Sequence, residues 1–188
     1  MNFFKTFLFS FLFISINSFS QEVAKDPKEP HHKDLFKISE VVLKDSTAAS
    51  ELMKRAINWV KDDSPRFTKT NGITTGTKAE CVCVFKIKPK ELNPVCDFTG
   101  TITIHVSIEC KENRYRYTVG KIKHTATNSK NSGGDINLLV PECGSMTMPA
   151  NEWKKIKGEG KRGSEMIVSE LLEGMDKRST TGANKDDW

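Results

Sequence analysis

From Ile102 to Cys110 every second residue is apolar, and this alternation constrains the fold more than any other feature of the chain. The apolar positions are Ile102, Ile104, Val106, Ile108 and Cys110. A period of two places these side chains on one face of a β-strand and the intervening polar residues on the other. The segment 99–111 therefore predicts a strand with one buried and one exposed face.

The segment 114–124 predicts the antiparallel partner of this strand. A two-residue turn at Glu112-Asn113 gives a register in which apolar residues meet on the buried side. The pairs are Cys110 with Tyr115, Ile108 with Tyr117, and Val106 with Val119. Further along, this register would turn Ile122 outward, and a bulge at Gly120 would return it to the core. We therefore expect a long hairpin that carries a bulge.

A strand and a helix are predicted ahead of this hairpin. Residues 35–43 form a short apolar run rich in β-branched side chains, which is typical of a strand. Apolar residues at spacings of three and four predict a helix at 47–62, with Asp45-Ser46-Thr47 offering its N-cap. The apolar face of this helix consists of Leu52, Met53, Ala56, Trp59 and Val60.

Further strands are expected between this helix and the long hairpin. Asn71-Gly72 is a strong hairpin signal, and it would join strands at 66–70 and 73–77. Residues 80–88 alternate in polarity as a strand does, and they are either continuous with 73–77 or separate from it.

The order of elements predicts the fold class. After a long loop at 125–150, Ser164 would cap a last helix at 165–175. The order is then strand, helix, four antiparallel strands, helix. We expect an α+β fold of the form β-α-β4-α, a twisted antiparallel sheet with both helices packed on one face. The opposite face of the sheet would be largely polar.

Three short motifs resemble those of a known family. The hairpin at 110–117 (CKENRYRY) resembles a K-D-G-R-Y-R-Y hairpin, residues 52–60 (LMKRAINWV) an R-A-x-x-W helix, and Asn71-Gly72-Ile73 a G-x-I turn. These motifs are similar to those of the domain-of-unknown-function 4468 family, exported Bacteroidota domains assigned a TBP-like fold. The resemblance spans about 35–175 and implies this fold and an export route, but no catalytic or binding residues. Glu112-Asn113 departs from the family's Asp-Gly, although Asn tolerates the positive φ of such a turn.

The first twenty residues predict a secretory signal peptide. Lys5 supplies the positive charge, an apolar run extends from Phe7 to Ile16, and Ser18-Phe19-Ser20 fits a small-residue cleavage site. The apolar run is shorter than the ~20 residues that span a membrane, so cleavage after Ser20 would leave no transmembrane segment. We therefore expect a periplasmic or secreted protein, with a flexible leader at 21–34, one domain at 35–175 and a disordered tail at 176–188.

Five cysteines lie beyond the predicted cleavage point: Cys81, Cys83, Cys96, Cys110 and Cys143. Export permits disulfides, and an odd number leaves at least one thiol over. The preferred pair joins Cys81 or Cys83 to Cys110 on a neighbouring strand, and buried free thiols are the equal alternative. Neither Cys81-Val82-Cys83 nor His31-His32 has the spacing or partners of a zinc site, so no metal is expected.

Two candidate sites follow from the residues. Positions 158–163 match the G-x-G-x-x-G pattern, but no buried strand precedes them, so a dinucleotide cofactor is not expected. Free N–H groups at the start of the last helix could instead hold an anion, with Gly160, Lys161, Arg162 and Gly163. The second candidate is the polar sheet face, with His105, Ser107, Arg114 and Arg116. We expect His105 and His124 to form a surface polar pair on adjacent strands.

No poised acid–base pair accompanies these residues, so the sequence favours a non-catalytic binding or interaction module over an enzyme. The alternative is a hydrolase-type enzyme whose site lies on the polar sheet face around His105, Ser107 and Glu109. Nucleic-acid binding would rest on fold analogy alone, and the net charge, which falls from +5 to +4 with Lys5, is too mild to favour it. We expect an unidentified envelope protein or ligand as partner, and a homodimer through paired edge strands.

Overall fold

A computed structural model describes residues 35–88 and 97–177 of the chain. Its antiparallel sheet consists of β1 (Ile38–Leu43), β2 (Thr68–Thr75), β3 (Lys78–Ile87), β4 (Gly100–Lys111), β5 (Arg114–Ala126) and β6 (Gly134–Asp135). Two helices, α1 (Ala49–Lys61) and α2 (Ala150–Asp176), pack against one face of this sheet. The predicted element order is confirmed, with the two-residue β6 as an addition. The predicted signal peptide and leader lie outside the described residues, as does most of the predicted tail.

The long hairpin lies inside the sheet, and its predicted register is confirmed. The strands run in the order β1-β5-β4-β3-β2, and β6 pairs with β5 as well. Across the hairpin, Cys110 pairs with Tyr115, Ile108 with Tyr117, and Val106 with Val119. Because the turn is local and the period is two, the sequence alone determines these pairs.

The bulge predicted at Gly120 is present and has a second consequence. His105 pairs with Gly120 but Thr103 pairs with Lys123, so β5 contains one extra residue between them. Lys121 takes a φ of +50°, and Ile122 behind it is fully buried. The same shift turns His124 into the core opposite Ile102. The expected surface pair of His105 and His124 is therefore wrong, because it assumed an ungapped register.

Asn71-Gly72 does not form the predicted hairpin turn. β2 runs through both residues, its register to β3 shifts between Thr70 and Ile73, and the turn lies at Gly76-Thr77. Asn71 has the positive φ, +53°, that makes Asn-Gly a turn signal, and a bulge uses the same conformation. The prediction of two strands around Asn71-Gly72 is wrong because the local signal does not distinguish a bulge from a turn.

α2 begins at Ala150, well before the predicted start at Glu165. Ser164 does not cap it, because this residue lies buried within the helix and its hydroxyl donates to the Gly160 carbonyl at 3.0 Å. The glycines at 158–163 lower helix propensity and suggested a loop. Packing against the sheet explains these glycines. A Cβ added at Gly160 would lie 3.0 Å from Ile122 Cγ2, and one added at Gly163 would lie 3.2 Å from Ile104 Cδ1. These glycines bring the helix close to the sheet.

The start of α1 is held by the turn of the long hairpin. The expected cap from Asp45-Ser46-Thr47 is not formed, since the residue before the helix is Ala48 and no side chain caps it locally. Instead the Ala49 N–H donates to Glu112 Oε2 at 3.0 Å. The Thr47 N–H donates to Asn113 Oδ1 at 3.1 Å. The turn thus replaces a local cap and places a carboxylate at the positive end of the helix dipole.

The end of α1 is held by Lys69, which lies on the core side of β2. Its ammonium donates to the carbonyl oxygens of Trp59 at 2.6 Å and of Asp62 at 3.0 Å. It also lies 4.2 Å from the centroid of the Trp59 ring and 3.5 Å from Glu170 Oε1 of α2. A cation at this position satisfies the last carbonyls of the helix and complements its negative end.

The preferred disulfide between Cys81 or Cys83 and Cys110 is not formed. Cys81 pairs with Val106 and Cys83 with Ile104. The Cys110 N–H bonds to the Thr77 carbonyl, in the turn before β3. All three are buried free thiols, and burial raises the pKa of Cys110 to about 11. Cys96 lies outside the described residues.

His124 joins β5 to the segments beside it. Its Nδ1 accepts a hydrogen bond from the Gly133 N–H at 3.0 Å, and its Nε2 lies 3.0 Å from the Phe98 carbonyl oxygen. Because Nδ1 accepts, the ring proton lies on Nε2, which donates to Phe98. Burial lowers the pKa of this imidazole, although the bond to Phe98 acts in the opposite direction. His124 is therefore a neutral structural residue.

Gly174 and Gly158 of α2 should respond in opposite ways to alanine. A Cβ at Gly174 would lie 2.6 Å from Cδ1 of the buried Trp59, whereas nothing lies within 4 Å of one at Gly158. We expect Gly174→Ala to lower the free energy of unfolding by about 1–3 kcal/mol through overpacking. Gly158→Ala should raise it by about 0.5–1 kcal/mol. Urea unfolding of both variants tests this, and an unchanged or raised stability of Gly174→Ala would contradict the packing.

Acid should destabilise the fold through His124. The folded pKa lies below the unfolded value of about 6.5, so the stability that this histidine contributes is present above that value. It is lost as the pH falls through the folded pKa. The urea midpoint should therefore fall between about pH 7 and pH 5, and less so in His124→Gln, whose amide retains a donor and an acceptor. His105→Gln, at an exposed position, is the control, and it should keep the full pH dependence.

Candidate interaction surface

The sheet face opposite the helices is exposed in the described part of the chain, and we call it the open face. Its centre is formed by the outward residues of β4: Thr101, Thr103, His105, Ser107 and Glu109. β3 adds Lys78, Glu80, Val82, Val84 and Lys86, and β5 adds Arg114, Arg116, Thr118 and Lys123. The buried apolar residues of the same strands form one core with those of α1 and α2. The open face is therefore a broad, mostly polar surface.

The structure places four predicted site residues on this face without assembling them. His105, Arg114 and Arg116 are exposed, and Ser107 is half-buried. Ser107 pairs with Thr118, His105 with Gly120, and Arg116 with Glu109 across the hairpin. In the described residues no hydrogen bond joins the His105 imidazole to the Ser107 hydroxyl. The activated hydroxyl that a hydrolase needs is therefore not present in this arrangement.

The carboxylates of the open face are engaged by cations. Glu109 Oε2 lies 2.6 Å from Arg116 Nη2 on the neighbouring strand, and Glu80 Oε1 lies 2.7 Å from Lys78 Nζ. Such exposed pairs contribute little stability, typically about 0–1 kcal/mol. They nevertheless leave Glu109, the acid of the hydrolase alternative, paired with arginine rather than with His105.

A shallow hollow of about 220 Å³ lies at one end of the open face, beside the turn of the long hairpin. We call it the basic hollow, and its lining residues are Val41, Glu109, Lys111, Arg114, Tyr115 and Arg116. Three cations thus surround one carboxylate. Lys111 pairs with Arg114 across the hairpin, and the exposed Val41 of β1 pairs with Arg116. Arginine binds carboxylate, sulfate and phosphate groups in a bidentate manner, so this arrangement suits an anionic group.

The second predicted site, at the glycine-rich segment, is not a helix start. Gly160, Lys161, Arg162 and Gly163 lie in the interior of α2, where backbone N–H groups bond to carbonyls of the preceding turn. Gly160 and Gly163 face the sheet, and Arg162 forms an ion pair with Glu159. The predicted anion site is therefore wrong, because its N–H groups are already used.

Sequence analysis predicts two cations of the basic hollow, Arg114 and Arg116, but neither Lys111 nor the apolar wall. Arg114 and Arg116 occupy outward positions of the alternating hairpin, so their shared face follows from the register. Val41 reaches the hollow because β1 pairs with β5. The order of strands in a sheet cannot be read from alternation, so no sequence signal indicated this neighbour.

Comparisons with known proteins establish the fold. No family model and no curated protein matches the chain. A TBP-like protein from Parabacteroides distasonis is similar in structure, with 16% identity, a TM-score of 0.52, and coverage of 76% of this chain and 94% of that one. A DUF4468 family protein from Bacteroides ovatus shows 7% identity, a TM-score of 0.52, and coverage of 78% and 89%.

The chain therefore has a TBP-like α+β fold, as the resemblance of its motifs implied. Because the identities to both proteins are low, these similarities establish the fold alone. Any functional site follows from the residues of this chain itself. Neither described helix combines the length and the apolar character that crossing a membrane requires.

Residues of the open face should be dispensable for stability. His105 and Arg114 are exposed, so His105→Ala and Arg114→Ala should each change the free energy of unfolding by no more than about 0.5 kcal/mol. Ile104, between them and the helices, is fully buried, and Ile104→Ala should cost about 2–5 kcal/mol. Urea unfolding of the three variants provides the comparison. A cost above about 2 kcal/mol for either exposed residue would assign it a structural role.

Proposed function

We propose that this chain is an exported, non-catalytic binding module that contacts its partner through the open face, with the basic hollow receiving an anionic group. The basic hollow is the observation that carries the proposal, because three cations and one carboxylate converge there on an exposed surface. A fold maintains such an excess of like charge more easily when a partner neutralises it. The partner is an envelope protein or ligand that bears carboxylate, sulfate or phosphate groups.

The charge of the whole open face supports an anionic partner. Its outward residues include six cations, Lys78, Lys86, Lys111, Arg114, Arg116 and Lys123, against the two acids Glu80 and Glu109. Both acids already form ion pairs, so the four remaining cations are available to a partner. Half-buried Val82 and Val84 between them offer apolar contact area. Arginine is enriched in protein interfaces, and the rim of an interface is typically polar.

A non-catalytic role fits the arrangement better than hydrolysis. A hydrolase would need a base within hydrogen-bond reach of a nucleophile and an acid that orients the base. His105, Ser107 and Glu109 lie in one row on β4 but are not joined by hydrogen bonds, and Glu109 is held by Arg116. Nucleic-acid binding rests on the fold alone, and the proposed export argues against it.

Export is part of the proposal and rests on the sequence of the first twenty residues. Lys5, the apolar run that follows it and the small residues at Ser18 and Ser20 have the order of a signal peptide. N-terminal sequencing of the protein from its native cells should begin at Gln21. An intact Met1 in a cytosolic fraction would contradict export. The expected homodimer through edge strands stays a prediction, and β1 and β2 are the strands that it would use.

The experiment that tests binding is capture of partners from cell envelopes. The chain from Gln21 onward, which contains every described helix and strand, serves as bait. Lys111→Gln/Arg114→Gln removes two cations of the basic hollow and leaves the Arg116–Glu109 pair intact. We expect this variant to lose the captured partner by at least about tenfold, as expected for two charge-assisted contacts.

Lys54→Gln/Lys61→Gln is the matched control, because both lysines are exposed on α1 and the charge change is the same. It should capture the partner as the parent does. Added salt should weaken capture by the parent. Equal capture by the parent and the Lys111→Gln/Arg114→Gln variant would exclude the basic hollow as the binding site.

A further inference from the structure

Exposed apolar side chains are concentrated in the segment 138–148, which leads into α2. Seven large apolar residues are exposed in the described ranges, and three of them lie here. They are Leu139 and Val140, each 56% exposed, and Met146, 97% exposed. Single exposed apolar residues are normal on a protein surface, whereas neighbouring ones that form a continuous apolar patch mark a contact surface. Leu139 and Val140 are adjacent and line the same hollow.

The segment is held in place by hydrogen bonds, so the exposure is built into the fold. The Glu142 N–H donates to the Gly133 carbonyl at 3.0 Å, and the Met148 N–H to the Gly144 carbonyl at 3.0 Å. The indole N–H of the buried Trp153 donates to the Leu138 carbonyl at 3.0 Å. These bonds keep Leu139 and Val140 on the outside of a fixed loop, although the apolar side chains would be more stable inside.

A hollow of about 240 Å³ separates this loop from the first turns of α2. Its apolar lining comes from Leu139, Val140, Pro141, Met148 and Trp153. Lys154 and Lys157 complete the lining on the α2 side. The hollow is shallow and open, and two of its lining residues, Leu139 and Val140, are themselves exposed. Such a hollow does not enclose a ligand as a binding pocket does. It fits better a surface that contacts an extended apolar medium.

Lysines of α2 lie beside the apolar loop. Lys154, Lys157 and Lys161 are spaced by three and four residues and therefore share one side of the helix. The Lys157 ammonium donates to the Leu138 carbonyl and lies 5.1 Å from the centroid of the Trp153 ring, so its charge is at the boundary of the apolar loop. Burial lowers the pKa of Lys157, and the neighbouring charge of Lys161 adds to this effect, while the carboxylate of Asp135 acts in the opposite direction.

Acidic residues near the loop do not cancel these cations. Glu142 is exposed in the loop itself. Glu152 is buried and forms an ion pair with Lys155 at 2.9 Å, and Glu159 pairs with Arg162. Among the described residues, the three lysines at 154, 157 and 161 thus outnumber the two nearby carboxylates that form no ion pair, Asp135 and Glu142. The surface is apolar at its tip and cationic behind the tip.

We propose that the loop 138–148 and the adjoining turns of α2 form a peripheral binding site for an anionic lipid surface. Leu139, Val140 and Met146 enter the acyl region, and Lys154, Lys157 and Lys161 lie at the level of the lipid phosphates. Apolar tips backed by lysines match this medium, because a bilayer is apolar inside and anionic at its surface. Long lysine side chains reach from an apolar contact to the headgroups. This site is separate in sequence from the open face and does not depend on the proposed function.

Vesicle sedimentation tests the proposal. The chain from Gln21 onward is used, since the apolar residues of 1–20 would bind lipid by themselves. At low salt it should sediment with vesicles that contain phosphatidylglycerol and much less with vesicles of phosphatidylcholine alone. Leu139→Ser/Val140→Ser/Met146→Ser should reduce the partition at least tenfold. Lys154→Gln/Lys161→Gln should reduce it by about fivefold per lysine, the effect of one cation near an anionic membrane.

Two matched controls distinguish this site from general stickiness. Leu35→Ser/Leu43→Ser/Ile73→Ser removes three exposed apolar side chains elsewhere, and Lys54→Gln/Lys61→Gln removes two exposed lysines of α1. Both control variants should bind vesicles as the parent does, and thermal unfolding should show that every variant is folded. Failure of the parent to bind anionic vesicles at low salt overturns the proposal, as does equal loss in the controls. Capture of a protein through the loop without vesicle binding would overturn it in favour of a protein partner.

Discussion

One extra residue in β5 determines how the whole sheet is completed. Without the bulge at Gly120–Lys121, Ile122 and His124 would face outward. With it, both are buried, and the apolar face of β5 continues to Ala126. The bulge also separates the two strands that pair with the same edge of β5. β1 pairs with β5 only as far as Val119, and the pairing of β6 with β5 begins at Lys123. A single irregularity thus sets the core and the edge of the sheet.

The parts of the fold that sequence predicts well are those in which the determining residues are close together. The register of the β4–β5 hairpin follows from a two-residue turn and an alternation that both strands share, and Ile122 reveals the bulge because a core residue would otherwise be exposed. Asn71-Gly72 was misassigned because its positive φ suits a turn and a bulge equally. The start of α2 was misassigned because Gly160 and Gly163 oppose helix formation locally, and only the nearness of Ile122 and Ile104 explains their presence.

The same limit, that contacts between distant residues cannot be predicted from the sequence, applies to the two proposed binding surfaces. Alternation along the hairpin predicts that Arg114 and Arg116 share the polar face, but Val41 joins them only through the pairing of β1 with β5. The loop 138–148 has no periodicity, so its apolar residues gave no sign of whether they are buried or exposed. Hydrogen bonds to Gly133 and Trp153, which sequence cannot indicate, turn Leu139 and Val140 outward.

The capping of α1 by distant residues has a consequence for the order in which the chain folds. α1 has 13 residues, a length at which an isolated helix is marginal in water. Its anchoring carboxylate, Glu112, follows Ala49 by 63 positions. A chain that emerges from the ribosome, or from a membrane pore, N-terminus first therefore presents α1 before the residue that fixes it. Stable docking of α1 must therefore wait for the hairpin.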